Sequence, residues 1–77
     1  MHEPTHVEAR FADDGSVTVI RFMWRSRWRR VAGMGRQWRE GEAAHFLAMT
    51  PDNEIFELVL EDGRWSISAA SPPTAVA

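Results

Sequence analysis

Arginine and tryptophan, the residues of this chain best suited to bind an anionic ligand, are concentrated in one block from Arg21 to Arg39. The block holds seven of the nine arginines, three of the four tryptophans and no acidic residue. The stretch before it carries one arginine against four acids and the stretch after it one against seven, so the formal net charge of -2 conceals a polarised chain. A guanidinium binds phosphate through planar paired contacts, and an indole offers a face on which an unpaired base stacks. The block therefore points to binding of single-stranded or structured nucleic acid.

Within this block we predict a nucleic-acid-binding surface without a catalytic role. In this hypothesis the arginines contact phosphates and the tryptophans stack on bases. The candidates are Arg25, Arg27, Arg30, Arg36 and Arg39 for phosphates, and Trp28 and Trp38 for bases. The hypothesis requires Trp28 to be at least partly exposed.

Two other interpretations of the block stay open. A basic strand between acidic neighbours forms cross-strand ion pairs, each contributing roughly 0.2 to 1 kcal/mol, and the available acidic partners are Glu8, Glu54, Glu57 and Glu61. Tryptophans in so small a protein also serve as core residues, because each brings a large apolar area. In the remaining alternative, exposed Trp28 and an open sheet edge bind a protein partner or a second copy of the chain, forming a homodimer.

Residues that commonly carry catalysis or bind metals are few and scattered. The chain has no cysteine, which excludes thiolate nucleophiles and thiolate metal sites. His2 and His6 have the spacing of two ligands on a helix, but Pro4 lies between them and no second group of ligands follows. No serine lies in a Gly-x-Ser-x-Gly motif, and Gly33-Met34-Gly35 lacks the third glycine and the following helix of a phosphate-binding loop. We therefore expect no enzymatic activity, no metal site and no cofactor.

The elements that must position the block are predicted to be β-strands. Turn-forming clusters recur roughly every ten residues, which is typical of short strands in a sandwich or barrel. Between the turns apolar residues mostly alternate, and a period of two indicates strands. Asp14-Gly15 and Asp62-Gly63 suit tight hairpins, because these residue types tolerate positive φ. The sequence predicts a mostly β domain: a small antiparallel meander of five or six strands, folded as an SH3-like barrel or a strongly bent sheet.

Three segments require a local explanation. Residues 17–24 are apolar on both faces, which predicts a central strand or one covered on its outer side. Gly33 and Gly35 permit a bend or bulge in the long segment 27–39, so that one strand serves two sheet halves. Arg27 and Arg29 share the side of Val31, so we expect a kink between Arg25 and Arg30 to avoid burying both. Residues 36–49 fit strand and loop or a short helix, although Gly41 disfavours the helix.

One small domain accounts for the whole length. We predict a flexible N-terminus over residues 1–5, a single β domain over 6–69, and a disordered tail over 70–77 that contains two prolines and little apolar area. The first residues lack the basic start and apolar run of a signal peptide, and no segment has the roughly 20 apolar residues of a membrane span. We expect a cytoplasmic protein with no membrane partner.

The motifs between Val7 and Ile67 follow a recognisable order. They are Gly15 in a turn, Phe22-Met23-Trp24-Arg25-Ser26-Arg27, Val31 and Met34, residues 36–42 beginning Arg36-Gln37-Trp38, then Phe46, Phe56-Glu57-Leu58 and Arg64-Trp65-Ser66-Ile67. This order resembles a family of small, functionally uncharacterised bacterial proteins that is common in actinobacteria and related high-GC groups. Its members read aromatic-x-Trp-Arg-Gly-Arg, alternating valines, Arg-x-Trp, an aromatic strand and a final Trp-x-Leu.

The chain departs from this family pattern at two positions. Ser26 lies where the family has glycine, and Arg29 lies where it has an aromatic residue, with Trp28 beside it. The resemblance implies a compact, β-barrel-like sheet and favours strand and loop over residues 36–49. It implies no particular activity.

Overall fold

The computed structural model describes residues 2–70, and these residues form eight β-strands in two antiparallel sheets. The strands are β1 (Glu3–Pro4), β2 (Val7–Phe11), β3 (Val17–Trp24), β4 (Arg27–Arg30), β5 (Gly33–Glu40), β6 (Ala43–Met49), β7 (Ile55–Glu61) and β8 (Arg64–Ala70). One sheet has the order β1-β8-β7-β6-β5 and the other the order β2-β3-β4. The predicted mostly β, antiparallel fold is confirmed. No helix in the described range is long and apolar enough to cross a bilayer.

Tight turns join neighbouring strands as the sequence predicts. Arg25 and Ser26 both have positive φ, at 52° and 70°, which is the geometry of a two-residue hairpin turn that follows the twist of its strands. Asp62 and Gly63 repeat this geometry, with φ values of 58° and 75°, between β7 and β8. Each hairpin register then follows directly from its turn.

Two corners carry the chain from one sheet into the other. At the first corner, the Thr5 N–H donates a hydrogen bond to the Trp65 carbonyl in the five-stranded sheet (3.2 Å). The carbonyl of the following residue, His6, accepts one from the Met23 N–H in the three-stranded sheet (2.9 Å). At the second, the N–H of Val31 donates to Ile20 (3.0 Å), and that of Ala32 donates to Met49 (2.7 Å). The chain therefore serves two sheets on either side of a bend, as the glycines of β5 predicted, although the bend itself lies at residues 31–32.

The two corners explain why eight strands appear where five or six were expected. Residues 3–11 and residues 27–40 each form two short strands separated by a corner, instead of one long strand. Within residues 2–70 the two sheets stay separate and form no closed barrel. Of the two predicted architectures, the strongly bent sheet is therefore the one that fits the fold.

The core lies between the inner faces of the two sheets. Its fully buried large side chains include Phe22 from the three-stranded sheet and Phe56, Leu58 and Ile67 from the five-stranded sheet. The Phe22 and Phe56 rings lie 5.0 Å apart in a tilted contact. This contact joins the sheets near the start of the basic block.

β3 is the central strand of its sheet, as its apolar residues on both faces predicted, and a bulge places its buried side chains on one face. Pairing with β2 shifts between Glu8 and Ala9, whose partners are Arg21 and Val19, so Ile20 is left without a partner. The extra residue brings Val19 and Phe22 to the same buried face although they are three residues apart. Val17, Val19, Phe22 and Trp24 therefore share the inner face of β3, whereas Met23, which is opposite Trp28, lies on the outer face.

Three further segments can be compared with their predictions. The expected kink between Arg25 and Arg30 is wrong, because β4 pairs with β3 in unbroken register beyond the turn. Residues 36–49 form β5, a turn at Gly41 and β6, so the strand interpretation is confirmed. In the N-terminal segment, Glu3–Pro4 pairs with β8, and of the predicted tail only Ala70 lies within the described residues.

Candidate functional site

The turn at Arg25–Ser26 decides which face of the β3–β4 hairpin each basic residue occupies. Cross-strand partners share a face of the sheet. The pairs are Trp24 with Arg27, Met23 with Trp28, Phe22 with Arg29, and Arg21 with Arg30. Because Phe22 is buried, its partner Arg29 lies on the inner face. Trp28 and Arg30 therefore lie on the outer face, together with Arg21 and Met23.

Trp28 is the exposed aromatic residue of this outer face, with 44% of its surface accessible. The Arg21 guanidinium carbon lies 4.2 Å from the centroid of the Trp28 ring, within cation–π range. Arg21 is itself held by Glu8, with 2.6 Å between Nε and Oε1. The predicted exposure of Trp28 is confirmed, and one guanidinium already lies against its ring.

The five predicted phosphate ligands share one property. Within residues 2–70, no carboxylate oxygen lies within the 4.0 Å ion-pair distance of Arg25, Arg27, Arg30, Arg36 or Arg39. The two remaining arginines of the block, Arg21 and Arg29, are the ones that form ion pairs. Internal pairing thus accounts for two of the seven arginines, through the predicted partners Glu8 and Glu54.

Arg29 shows what an internally paired arginine of this block does. Its side chain is 21% exposed, its guanidinium carbon lies 5.5 Å from the Phe56 ring centroid, and Nη2 contacts Glu54 and, at 3.4 Å, Asp52 Oδ1. These acids belong to the turn between β6 and β7, so Arg29 links the three-stranded sheet to the five-stranded one. Its role is structural.

The β6–β7 turn is preorganised to hold Arg29. Buried Thr50 donates its hydroxyl hydrogen to Asp52 Oδ1 and accepts a hydrogen bond from the Glu54 N–H (3.2 Å). The hydrogen bond from the Thr50 hydroxyl is the largest cause that lowers the pKa of Asp52 below its ordinary value, and the positive charge of Arg29 acts in the same direction. The ionised carboxylate is therefore the form that the turn presents to Arg29.

A groove of about 470 Å³ follows the free edge of β4 beside this turn, and its lining residues are Arg27, Trp28, Arg29, Arg30, Pro51 and Asp52. β4 has no neighbour on this side, since the order of its sheet is β2-β3-β4. Arg27, Trp28 and Arg30 all line this groove, although Arg27, the cross-strand partner of Trp24, belongs to the inner face of the hairpin. We call Arg25, Arg27, Trp28 and Arg30 the hairpin patch.

The other predicted site residues form a second group on β5, which we call the β5 patch: Arg36, Trp38 and Arg39. Trp38 is half-buried and stacks on His45, with 5.0 Å between ring centroids and 12° between ring planes. The Arg36 guanidinium carbon lies 5.2 Å from the Trp38 centroid. Arg39 pairs with Ala44 and so lies on the opposite face from Trp38, whose partner is His45.

The two patches are separated by the corner at residues 31–32. Six extended residues from Arg30 to Arg36 correspond to about 20 Å of chain, and the corner turns β5 into the other sheet. The structure therefore brings the predicted residues together as two patches and not as one continuous surface.

The sequence analysis missed two basic residues of the outer face. Arg21 lies opposite Arg30, and Arg10 lies on β2 opposite Thr18. Arg21 could have been placed by counting back from a two-residue turn at Arg25–Ser26. Arg10 could have been placed by the alternation of Val7, Ala9 and Phe11 in β2, which puts Glu8 and Arg10 on the opposite face.

The histidines and acids outside the block do not form a metal centre. No group of three or more His, Cys, Asp or Glu side chains suited to a metal ion occurs among residues 2–70. The Glu57 carboxylate, considered above as a partner for arginine, instead contacts His45 through Oε2 (2.8 Å) and His2 through Oε1 (3.6 Å).

Comparison with known proteins does not assign the chain to a family. No family model matches its sequence, no curated protein matches it, and no solved structure matches it. The resemblance to the small bacterial family therefore stays a prediction.

Proposed function

We propose that this domain is a non-catalytic module that binds single-stranded nucleic acid through the hairpin patch. The observation that carries the proposal is the combination of an exposed Trp28 with three arginines, Arg25, Arg27 and Arg30, that have no carboxylate partner within residues 2–70. These are the two kinds of group that a single strand engages, an aromatic face for a base and cations for its phosphates.

One cation of the patch, Arg25, is positioned but not neutralised. Arg25 lies 4.6 Å from the Trp24 ring centroid, measured from its guanidinium carbon. A cation–π contact holds a guanidinium in place and leaves its N–H donors available to phosphate oxygens. The acids nearest to the patch, Asp52 and Glu54, are engaged by Arg29 and Thr50. Their repulsion of a phosphate is thereby reduced.

A single strand fits this site better than a duplex does. Stacking on Trp28 requires a base that is not already stacked and paired, and it contributes about 1 to 3 kcal/mol per base. The groove along β4 is open, and its floor includes Trp28. A duplex would present only phosphates to the patch and would gain nothing from the indole.

Titration of the domain with a fluorescently labelled oligothymidine at low salt tests this function. We expect binding that weakens with salt at a log–log slope of about -2, because three neutralised phosphates contribute about -0.7 each. Trp28→Ala should weaken binding about fivefold or more, and Arg30→Ala should make the slope shallower by about 0.7. Arg64→Ala, which removes an exposed arginine of β8 in the other sheet, is the matched control and should bind like the parent.

Absence of binding at low salt, or binding that Trp28→Ala leaves unchanged, would refute the proposal. The second candidate function is protein interaction or self-association, favoured by the position of exposed Trp28 on an edge strand. Sedimentation at increasing concentration separates the two functions. Salt-insensitive dimers that Trp28→Ala abolishes would support self-association in place of nucleic-acid binding.

A further inference from the structure

His45, whose ring stacks on Trp38, lies between two carboxylates. His45 on β6 has a side chain only 12% exposed, with Nδ1 2.8 Å from Glu57 Oε2 and Nε2 3.3 Å from Glu40 Oε1. Glu57 comes from β7 and Glu40 from the end of β5, so the imidazole joins three strands. The Trp38 ring lies parallel to the imidazole.

The protonation state of His45 decides how many of these contacts it satisfies. A neutral imidazole donates a hydrogen bond through one nitrogen only, whereas an imidazolium donates through both. A positively charged ring also interacts more favourably with the face of an indole than a neutral ring does. All three neighbours of the ring are therefore matched best by the protonated form.

The other charged groups around His45 fit the same arrangement. His2 lies 3.6 Å from Glu57 Oε1, with Ser68 Oγ 3.3 Å from the same histidine nitrogen. Arg36 lies over Trp38, and Arg39 is on the opposite face of β5. The Glu57 carboxylate thus contacts both His45 and His2. The Trp38 ring has two neighbours of its own, the His45 ring and the Arg36 guanidinium.

We propose that protonated His45 clamps Trp38 flat against the sheet, and that loss of this proton releases the indole as a second stacking platform beside Arg36. Among residues 2–70, β5 is the edge strand of its sheet and pairs only with β6, so none of the described strands holds Trp38 from its other side. The clamp stands on the His45 geometry alone. The use of the released indole by nucleic acid rests on the function proposed above.

The clamp is tested by acrylamide quenching of Trp38 fluorescence, obtained as the difference between the parent and Trp38→Phe. We expect the quenching constant to rise at least about twofold between pH 5 and pH 8, the range in which histidines change charge. His45→Gln should abolish the rise. His6→Gln is the matched control, because His6 is exposed and only its backbone forms hydrogen bonds, and it should keep the rise.

A measurement on the unaltered domain avoids dependence on a variant that folds poorly. In NMR spectra, the signals of the His45 ring protons and of the Trp38 indole N–H should change together over the same pH range. Trp38 quenching that does not change with pH, or that changes equally in His45→Gln, overturns the clamp, as does a Trp38 signal that does not follow His45.

Oligonucleotide affinity tests the second half of the proposal separately. The ratio of parent to Trp38→Ala affinity should be close to one at pH 5.5 and rise to about fivefold at pH 8. A ratio that stays at one overturns the platform role of Trp38 and leaves the clamp to the quenching result. If the parent binds no oligonucleotide at either pH, the proposed function and the platform role fail, whereas the clamp is still decided by quenching.

Discussion

The two faces of the β3–β4 hairpin carry the same pair of residue types in opposite environments. On the inner side, Trp24 packs edge-on against Phe56 with 5.0 Å between ring centroids, and Arg29 is held by acids of the β6–β7 turn. On the outer side, Trp28 is exposed and Arg30 has no carboxylate partner in the described part of the chain. Trp24 and Arg29 have become part of the fold, whereas Trp28 and Arg30 are the side chains available to the ligand proposed above.

The difference shows that residue type does not decide the role of an arginine or a tryptophan here. Arg29 and Arg30 are neighbours in the chain, and alternation places them on opposite faces. Only the inner face meets the turn that supplies Asp52 and Glu54. The composition thus predicts a concentration of basic and aromatic residues, and the pairing register of β3 with β4 determines which of them lie on the outer face.

The largest expected contrast is between the two tryptophans. Trp24→Ala should cost about 3 kcal/mol of unfolding free energy, because it removes an aromatic side chain packed on the core. Trp28→Ala should cost less than about 1 kcal/mol, since its ring lies on the surface. Urea denaturation followed by circular dichroism measures both.

Equal losses for the two tryptophan variants would break the comparison. In particular, a loss of about 3 to 5 kcal/mol for Trp28→Ala would mean that Trp28 is a core residue. Phe11→Ala provides a surface control on the neighbouring strand, because Phe11 is 60% exposed.

A smaller contrast is expected between the neighbouring arginines. Arg29→Ala should lower the unfolding free energy by about 1 to 2 kcal/mol. This loss is smaller than that for a fully buried ion pair, because solvent screens the exposed acidic partners of Arg29. Arg30→Ala should change it by less than about 0.5 kcal/mol. Arg29→Met keeps an unbranched side chain over Phe56, so the difference between Met and Ala separates packing from charge.

The arginine comparison fails if Arg30→Ala destabilises the domain as much as Arg29→Ala does. That result would show that Arg30 also has a structural partner. A loss in Arg29→Met as small as that in Arg30→Ala would assign the effect of Arg29 to packing over Phe56 and not to its ion pairs.

Local features of the fold were predictable from the sequence. Asp62–Gly63 predicted a hairpin turn, and alternation predicted the antiparallel strands that such turns join. Gly33 and Gly35 predicted that one chain segment serves two sheets. These features depend on neighbouring residues only, so the sequence contains the information that they require.

Features that depend on distant segments were not predictable in the same way. The bulge at Ile20 is visible only once β2 is paired with β3, and without it β3 appears apolar on both faces. The kink expected before Arg30 was wrong because Arg29 is accommodated by acids more than twenty residues away in the chain. Two corners, and not a continuous barrel, follow from the same long-range pairing.

The candidate site likewise has features that the sequence predicted and features that depend on distant segments. The exposure of Trp28 was predicted, and the five chosen arginines are those without a carboxylate partner in residues 2–70. Their separation into two patches was not predicted, because it results from the corner at residues 31–32. Stacking of Trp38 on His45 was also missed, since only the β5–β6 register brings them together.

The smallest expected effect concerns the turn that separates the two faces, and it depends on pH. The Thr50 hydroxyl and Arg29 lower the pKa of Asp52 in the folded protein, so at acid pH the unfolded chain binds more protons than the folded one. The stabilisation is therefore complete above the ordinary aspartate pKa of about 4 and is lost as the pH falls through the lowered value. Asp52→Asn should be less stable than the parent at pH 7 and should approach it in strong acid. Asp13→Asn is the control, because the Asp13 carboxylate has no hydrogen bond to the described residues, and the stability of this variant should follow that of the parent at every pH. If the stability of Asp52→Asn also runs parallel to that of the parent at every pH, the turn does not hold Arg29 through the charge of Asp52.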